Sequence, residues 1–169
     1  EEGTLYNMVG FQTNLKWGEQ ERVFRMIPAL RNAEFVRKGV MHRNLFICAP
    51  SVLDGYLRPK GREDIFLAGQ MTGVEGYVES TAMGLASAIF MTALIRGLPM
   101  PEFPKTTAIG SLLNYLKTAM PKTFQPMNVN LGIFPKLEGK KIKKRTERCE
   151  AYHERAIDAM AAFIASNEE

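Results

Sequence analysis

The sequence predicts an α/β fold, and three observations carry that reading. A short apolar run, Ile65 to Ala68, has the length and composition of a buried strand. Three glycines follow, Gly69, Gly73 and Gly76, and a helical pattern then runs to about Ile95. Further strand-like and helix-like segments lie on both sides of this unit, with a final amphipathic pattern from Arg145 to Ile164.

Taken in order, Thr4 to Phe11 is rich in strand formers. Thr13 or Asn14 can cap a helix from about Trp17 to Met26, with Glu19 and Glu21 in its first turns. Val23, Ile27 and Leu30 share one face, and Pro28 ends the regular pattern. Glu34 to Arg37 and Leu45 to Cys48 read as short strands. Pro50 to Arg62, with Pro50, Gly55, Pro59 and Gly61, reads as a loop crossing between domains. The strand–turn–helix unit follows; Val78, Leu85, Ile89 and Met91 are expected to face the core. Gly76, Ser80, Gly84 and Ala88 fall in one row of small residues where a backbone or flat ligand can approach closely. Gly97 to Pro104 is a rigid linker, and Thr107 caps a helix from about Ile109 to Ala119. Met127 to Phe134 alternates apolar and polar residues and is expected to be extended. In the last helix Cys149, Tyr152, Ala156, Met160 and Phe163 recur on a core-facing register.

Strand, glycine-rich turn and helix bring backbone N–H groups and a positive dipole end to a phosphate or another electron-rich group. The glycines read G-x-x-x-G-x-x-G, which is not the dinucleotide fingerprint, and no acidic residue follows at the required distance after a second strand. On spacing alone, an ordinary packing turn is the simpler reading.

The chain has 169 residues, 46% hydrophobic and 24% charged, which suits a soluble globular protein with a sizeable core. A formal net charge of +4 permits a polyanionic partner without demanding one. Cys48 and Cys149 lack metal-ligand spacing and suit free thiols in a reducing compartment, so the cytoplasm is the expected location. The uncharged apolar run from Ser80 to Ile95 falls short of the ~20 residues a span needs, so no membrane partner is expected. Lys136, Lys140, Lys141, Lys143, Lys144, Arg145 and Arg148 place seven cations within thirteen positions. Such a run is either a solvated segment or a set of phosphate contacts.

Longer motifs sharpen these alternatives. Ala68-Gly69-Gln70-Met71-Thr72-Gly73-Val74-Glu75-Gly76-Tyr77-Val78-Glu79-Ser80 resembles the second flavin-contacting segment of the folate- and FAD-dependent tRNA (uracil-5-)-methyltransferases. More loosely, it is similar to the related flavoprotein that modifies wobble uridine with a carboxymethylaminomethyl group. The resemblance continues through Leu5 to Gln20, Gly39-Val40-Met41-His42-Arg43-Asn44, Thr107-Ala108-Ile109-Gly110 and Phe124-Gln125-Pro126-Met127-Asn128-Val129-Asn130. The triplet His42-Arg43-Asn44 favours the methyltransferase branch.

The resemblance implies a Rossmann-type fold in which residues 1–48 end an inserted α+β substrate domain. Residues 49–169 would then close the FAD-binding domain and add a terminal amphipathic helix. It implies methylation of C5 of a T-loop uridine in tRNA, with methylenetetrahydrofolate as one-carbon donor, FAD as carrier and NAD(P)H as electron source. It assigns Gly69, Gln70, Met71, Thr72, Gly73, Val74, Gly76 and Tyr77 to the flavin. Trp17, His42, Arg43 and Asn44 become folate or tRNA candidates, and Lys140, Lys141, Lys143 and Lys144 tRNA candidates. Glu75 and Glu79 each suit a general base or simply a helix N-terminus, and the sequence does not separate these roles. Neither cysteine matches the family's nucleophile contexts, so that thiolate is expected outside this chain. The chain begins at Glu1 without an initiator methionine and carries no early G-x-G-x-x-G unit, so it is expected to be the C-terminal portion of a larger enzyme. The competing expectation is a separate, non-catalytic RNA-binding or assembly module.

Overall fold

The computed structural model describes residues 5–8, 11, 13–39, 45–139 and 142–167. These divide into two compact units, Glu1–Arg43 and Asn44–Glu169. The α-helices are α1 (Trp17–Phe24), α2 (Ala49–Val52), α3 (Tyr77–Arg96), α4 (Ala108–Thr118) and α5 (Arg145–Ala165). Three short 3₁₀ turns, Pro28–Leu30, Gly69–Thr72 and Pro121–Thr123, complete the regular structure of the described residues.

In the first unit α1 begins at Trp17 without a side-chain cap. Thr13, an expected cap, instead closes the preceding turn, its Oγ1 accepting from the Leu15 N–H at 3.0 Å. Gln20 is the buried polar residue among the described residues of this unit. Its amide donates to the carbonyls of Leu15 (2.8 Å) and Gly39 (3.0 Å) and accepts from the Gly39 N–H (3.0 Å). Glu21 pairs with Lys38 at 2.7 Å and Arg25 at 2.8 Å. The Phe24 ring meets Phe11 edge-on at 5.5 Å and Phe35 at 6.2 Å.

The second unit is built on α3 and α4. Met83, Ala86, Phe90 and Ala93 of α3 are buried with Leu112, Leu113 and Leu116 of α4, and Leu53, Leu57, Val74, Phe103 and Phe124 close the core. Ser87 donates to the Leu67 carbonyl at 2.8 Å, tying the segment before the glycine turn to the side of α3. Thr107 caps α4 as the sequence predicts, accepting from the Gly110 N–H at 3.1 Å. Gly110 is required there, because a Cβ would overlap the Pro104 carbonyl. Phe163 of α5 stacks on Phe103 at 4.7 Å.

Several expectations are corrected. No strand forms among the described residues. Ile65 to Ala68 pairs through the Leu67 N–H to Leu57, and Leu45 to Cys48 through the Ile47 N–H to Met71. Met127 to Phe134 forms one isolated parallel bridge, Val74 to Met127. Strand character requires a neighbouring ladder, and these extended segments meet their neighbours at single points. Glu34 to Arg37 forms no ladder either, and Thr4 to Phe11 is described only in part. The expected loop from Pro50 opens on the short helix α2.

The core face of α3 also differs. Val78 is 80% exposed and Leu85 56%, and Met91 is exposed as well. The helix is apolar on every side, so periodicity could not choose its buried row. With Tyr77 and Arg96 included, α3 reaches 20 residues and is long and apolar enough to cross a membrane, though 28% of its most apolar window is buried in the unit. Cys149 is exposed, against its expected register. Its row on α5 becomes core-packed only at Met160 and Phe163.

Candidate functional site

The glycine-rich turn folds as a 3₁₀ turn, Gly69–Thr72, followed by an extended step into α3. Gly69, Gly73 and Gly76 have φ of +66°, +92° and +101°, a backbone region that L side chains resist. Thr72 is buried, and its hydroxyl donates to the Gly69 carbonyl at 2.7 Å. Val74 is fully buried and anchors the turn from beneath.

Gly76 occupies the N-cap of α3, where it supplies no side-chain acceptor. The first-turn amides of a helix have no partner within the helix, so Tyr77, Val78 and Glu79 keep N–H groups at the positive end of a 20-residue dipole. Tyr77 is 95% exposed. A ring that gathers negative charge on one edge is stabilised by such donors. Such donors can receive an electron-rich group, here beside the Glu79 carboxylate, which lies against Gly76.

A second segment closes on this turn. The Met127 N–H donates to the Gly73 carbonyl at 3.0 Å, and the Glu75 N–H donates to the Met127 carbonyl at 2.9 Å. Glu79 Oε1 accepts from the Val129 N–H at 3.2 Å. Phe124 is buried against Gly73, where a Cβ would overlap its ring, and stacks with Tyr115 at 5.6 Å. Tyr115 in turn donates to the Gln125 carbonyl at 2.7 Å. Gly73 thus answers to two demands, a positive φ and the closeness of Phe124.

These contacts separate the two acidic residues. Glu79 is committed to holding the 124–130 segment, while the Glu75 side chain is exposed and makes no hydrogen bond among the described residues. The sequence contains Phe124 to Asn130 as a motif but offers no reason to set it beside the turn. Spatial pairing across some fifty residues leaves no local signal.

Gly69, Gln70, Met71, Thr72, Gly73, Val74, Gly76 and Tyr77 lie along the turn and its entry into α3, with Thr72, Gly73 and Val74 buried and Met71 and Tyr77 exposed. Trp17 belongs to the first unit, 62% exposed at the start of α1. His42, Arg43, Asn44, Lys140 and Lys141 lie outside the described residues. Lys143 and Lys144 are exposed before α5, and Lys144 pairs with Glu147 at 3.1 Å. Arg155 of α5 donates to the carbonyls of Pro135 (2.7 Å) and Lys136 (3.0 Å), and Tyr152 meets Phe134 edge-on at 5.8 Å. Together they fix the segment that leads into the basic run. Among the described residues no His, Cys, Asp and Glu cluster could hold a metal ion.

The chain is 57% identical over 162 residues to the methylenetetrahydrofolate–tRNA-(uracil-5-)-methyltransferase TrmFO of Desulforudis audaxviator, covering 96% of this chain and 37% of that protein. It is 60% identical over 158 residues to the protein of the same name from Listeria monocytogenes serovar 1/2a (94% and 36%), and 56% over 164 residues to that of Streptococcus uberis (97% and 37%). The chain therefore spans a little over a third of the length of these relatives. The family model described as glucose inhibited division protein A matches residues 1–99, through the glycine turn and the whole of α3. By that match, which takes in more than half of the sequence, the chain belongs to the glucose inhibited division protein A family.

Proposed function

We propose that this chain is the C-terminal part of a flavoenzyme that methylates C5 of a T-loop uridine in tRNA. The names of its relatives supply the reaction, the one-carbon donor and the RNA. The observation that carries the reading for this chain is the uncapped start of α3 behind three positive-φ glycines. In this reading the amides of Tyr77, Val78 and Glu79 hold the pyrimidine edge of FAD, and the Gly69–Thr72 turn lets the backbone approach the ring. FAD bound there would take the methylene unit from methylenetetrahydrofolate and supply the reducing equivalents, with NAD(P)H as the electron source.

The chain's own residues bind and orient. Glu75, the exposed carboxylate at the turn, is the better placed of the two acids to move a proton. The thiolate that activates the uracil carbon comes from the remainder of the enzyme, as does the dinucleotide pyrophosphate loop. A flat pocket is required because the target carbon is inaccessible inside folded RNA. Trp17, His42, Arg43 and Asn44 are the folate or tRNA contacts in this reading. Lys140, Lys141, Lys143 and Lys144 contact tRNA phosphates, and the enzyme works in the cytoplasm without a membrane. The exposed side of α3 then lies against the rest of the flavin domain.

The test is flavin content of the full-length enzyme. The wild type should carry stoichiometric FAD, and Gly76→Val should lose most of it, since valine resists φ near +101° and blocks the backbone. Full flavin occupancy in the variant would overturn the assignment.

A further inference from the structure

The start of the basic run is fastened to the helix that carries its end, and Arg155 makes the tie. Arg155 lies roughly 15 Å along the axis from the start of α5. Its two terminal nitrogens donate to consecutive carbonyls, Nη2 to Pro135 at 2.7 Å and Nη1 to Lys136 at 3.0 Å. The guanidinium sits over the Tyr152 ring at 5.0 Å, and Tyr152 meets Phe134 edge-on at 5.8 Å. Its Nε is buried and makes no hydrogen bond among the described residues. Residues 134–136 are thus gripped by a planar fork and a pair of rings. The Lys136 side chain stays exposed at this anchor, while Arg145 and Arg148 belong to α5 itself.

A guanidinium with both arms on carbonyls and its Nε buried has little left to offer a phosphate. What it supplies is order. A rigid fork on two successive carbonyls fixes a backbone in a way that a point charge does not. A segment anchored at both ends has fewer conformations to lose when it meets a partner. We infer that Arg155 is the positioning residue of the basic run. By tying Pro135 and Lys136 to α5, it presents Lys136, Lys143, Lys144, Arg145 and Arg148 to RNA phosphates as one pre-ordered set. The inference rests on the proposed tRNA role of the run and deepens it, because it names a residue that shapes the surface without touching the RNA.

The experiment measures binding of an unmodified tRNA transcript to the full-length enzyme, with flavin content and circular dichroism as checks on folding. The variants are Arg155→Lys, Arg155→Met and Phe134→Leu, together with Arg155→Met placed on a background in which Lys140, Lys141, Lys143 and Lys144 are all Ala. Arg155→Lys keeps the charge and Arg155→Met does not, yet neither forks to both carbonyls, so each should weaken binding by about five-fold. Phe134→Leu keeps every charge and removes the ring beside the clamp, and should shift affinity in the same direction. On the four-alanine background Arg155→Met should cost about two-fold or less, because a residue that acts through the run has less to position there. Wild-type affinity in Arg155→Lys beside a weakened Arg155→Met would make Arg155 a direct phosphate contact and overturn the inference. So would wild-type affinity in both, or an Arg155→Met loss that is the same with and without the four lysines. If the four-alanine variant itself binds tRNA as the wild type does, the tRNA role of the run fails and takes the inference with it. If that variant is weakened while Arg155→Lys is normal, the inference alone fails.

Discussion

Gly73→Ala isolates how tightly the turn is specified. At φ +92° the alanine meets a backbone cost of about 1–2 kcal/mol from its Cβ. The same Cβ overlaps the end of the Phe124 ring, which is 6% exposed and hemmed in by Tyr115 at 5.6 Å and Phe46 at 6.2 Å. Forcing an aromatic ring from a packed site costs a further ~1–3 kcal/mol. The expected loss is therefore roughly 2–5 kcal/mol. Gly97→Ala is the matched control, with φ +66° and open space around the added carbon, so it should lose only the backbone cost of about 1–2 kcal/mol. Denaturant unfolding of both variants in the full-length enzyme, followed by flavin release and by circular dichroism, measures the difference. Equal losses would refute the claim that Phe124 closes on the turn. Gly73→Ala should also release flavin at lower denaturant, because the Met127 pairing starts from the Gly73 carbonyl.

Two further outcomes follow from the surface charges. Changing Lys140, Lys141, Lys143 and Lys144 to Ala together should weaken tRNA binding and make the log–log salt slope shallower by about 0.7–0.9 for each phosphate no longer neutralised; unchanged affinity and slope would make the run a solvated segment. In the first unit, the hydrogen bond from Lys38 and the charges of Lys38 and Arg25 lower the Glu21 carboxyl below its ordinary value of 4.5. A depressed carboxylate stabilises the fold above its unfolded value and loses that contribution as pH falls through the folded one. Amide exchange of α1 should therefore quicken as pH drops below about 4.5 beyond its intrinsic pH dependence, and Glu21→Gln should remove the extra change. The pair is half-buried and still reached by solvent, so the effect should shrink at high salt.

The longer helices are largely legible in the sequence because their signals are local, whereas the expected cap of α1 and the short helix α2 are not. Thr107 reads correctly as a cap, and α4 and α5 begin and end within a residue of expectation. The strands are misread because apolar, β-prone composition reports burial, whereas a strand also needs a neighbour at ladder distance. The face of α3 is illegible for a different reason: with Val78, Leu85, Met91 and Ile95 as apolar as Met83, Ala86, Phe90 and Ala93, no stripe stands out. The glycine turn can be found from its spacing and motif. The partner segment, and with it the distinction between Glu75 and Glu79, requires the fold.

Hydrogen–deuterium exchange of the full-length enzyme, with and without FAD, tests the flavin assignment most directly. The amides of Tyr77, Val78 and Glu79 have no acceptor within α3 and should exchange freely in the apoenzyme. FAD should slow them strongly, while the Gly110 amide, already bonded to Thr107, should not change. Protection by FAD elsewhere in the enzyme, with these three amides unaffected, would contradict the account.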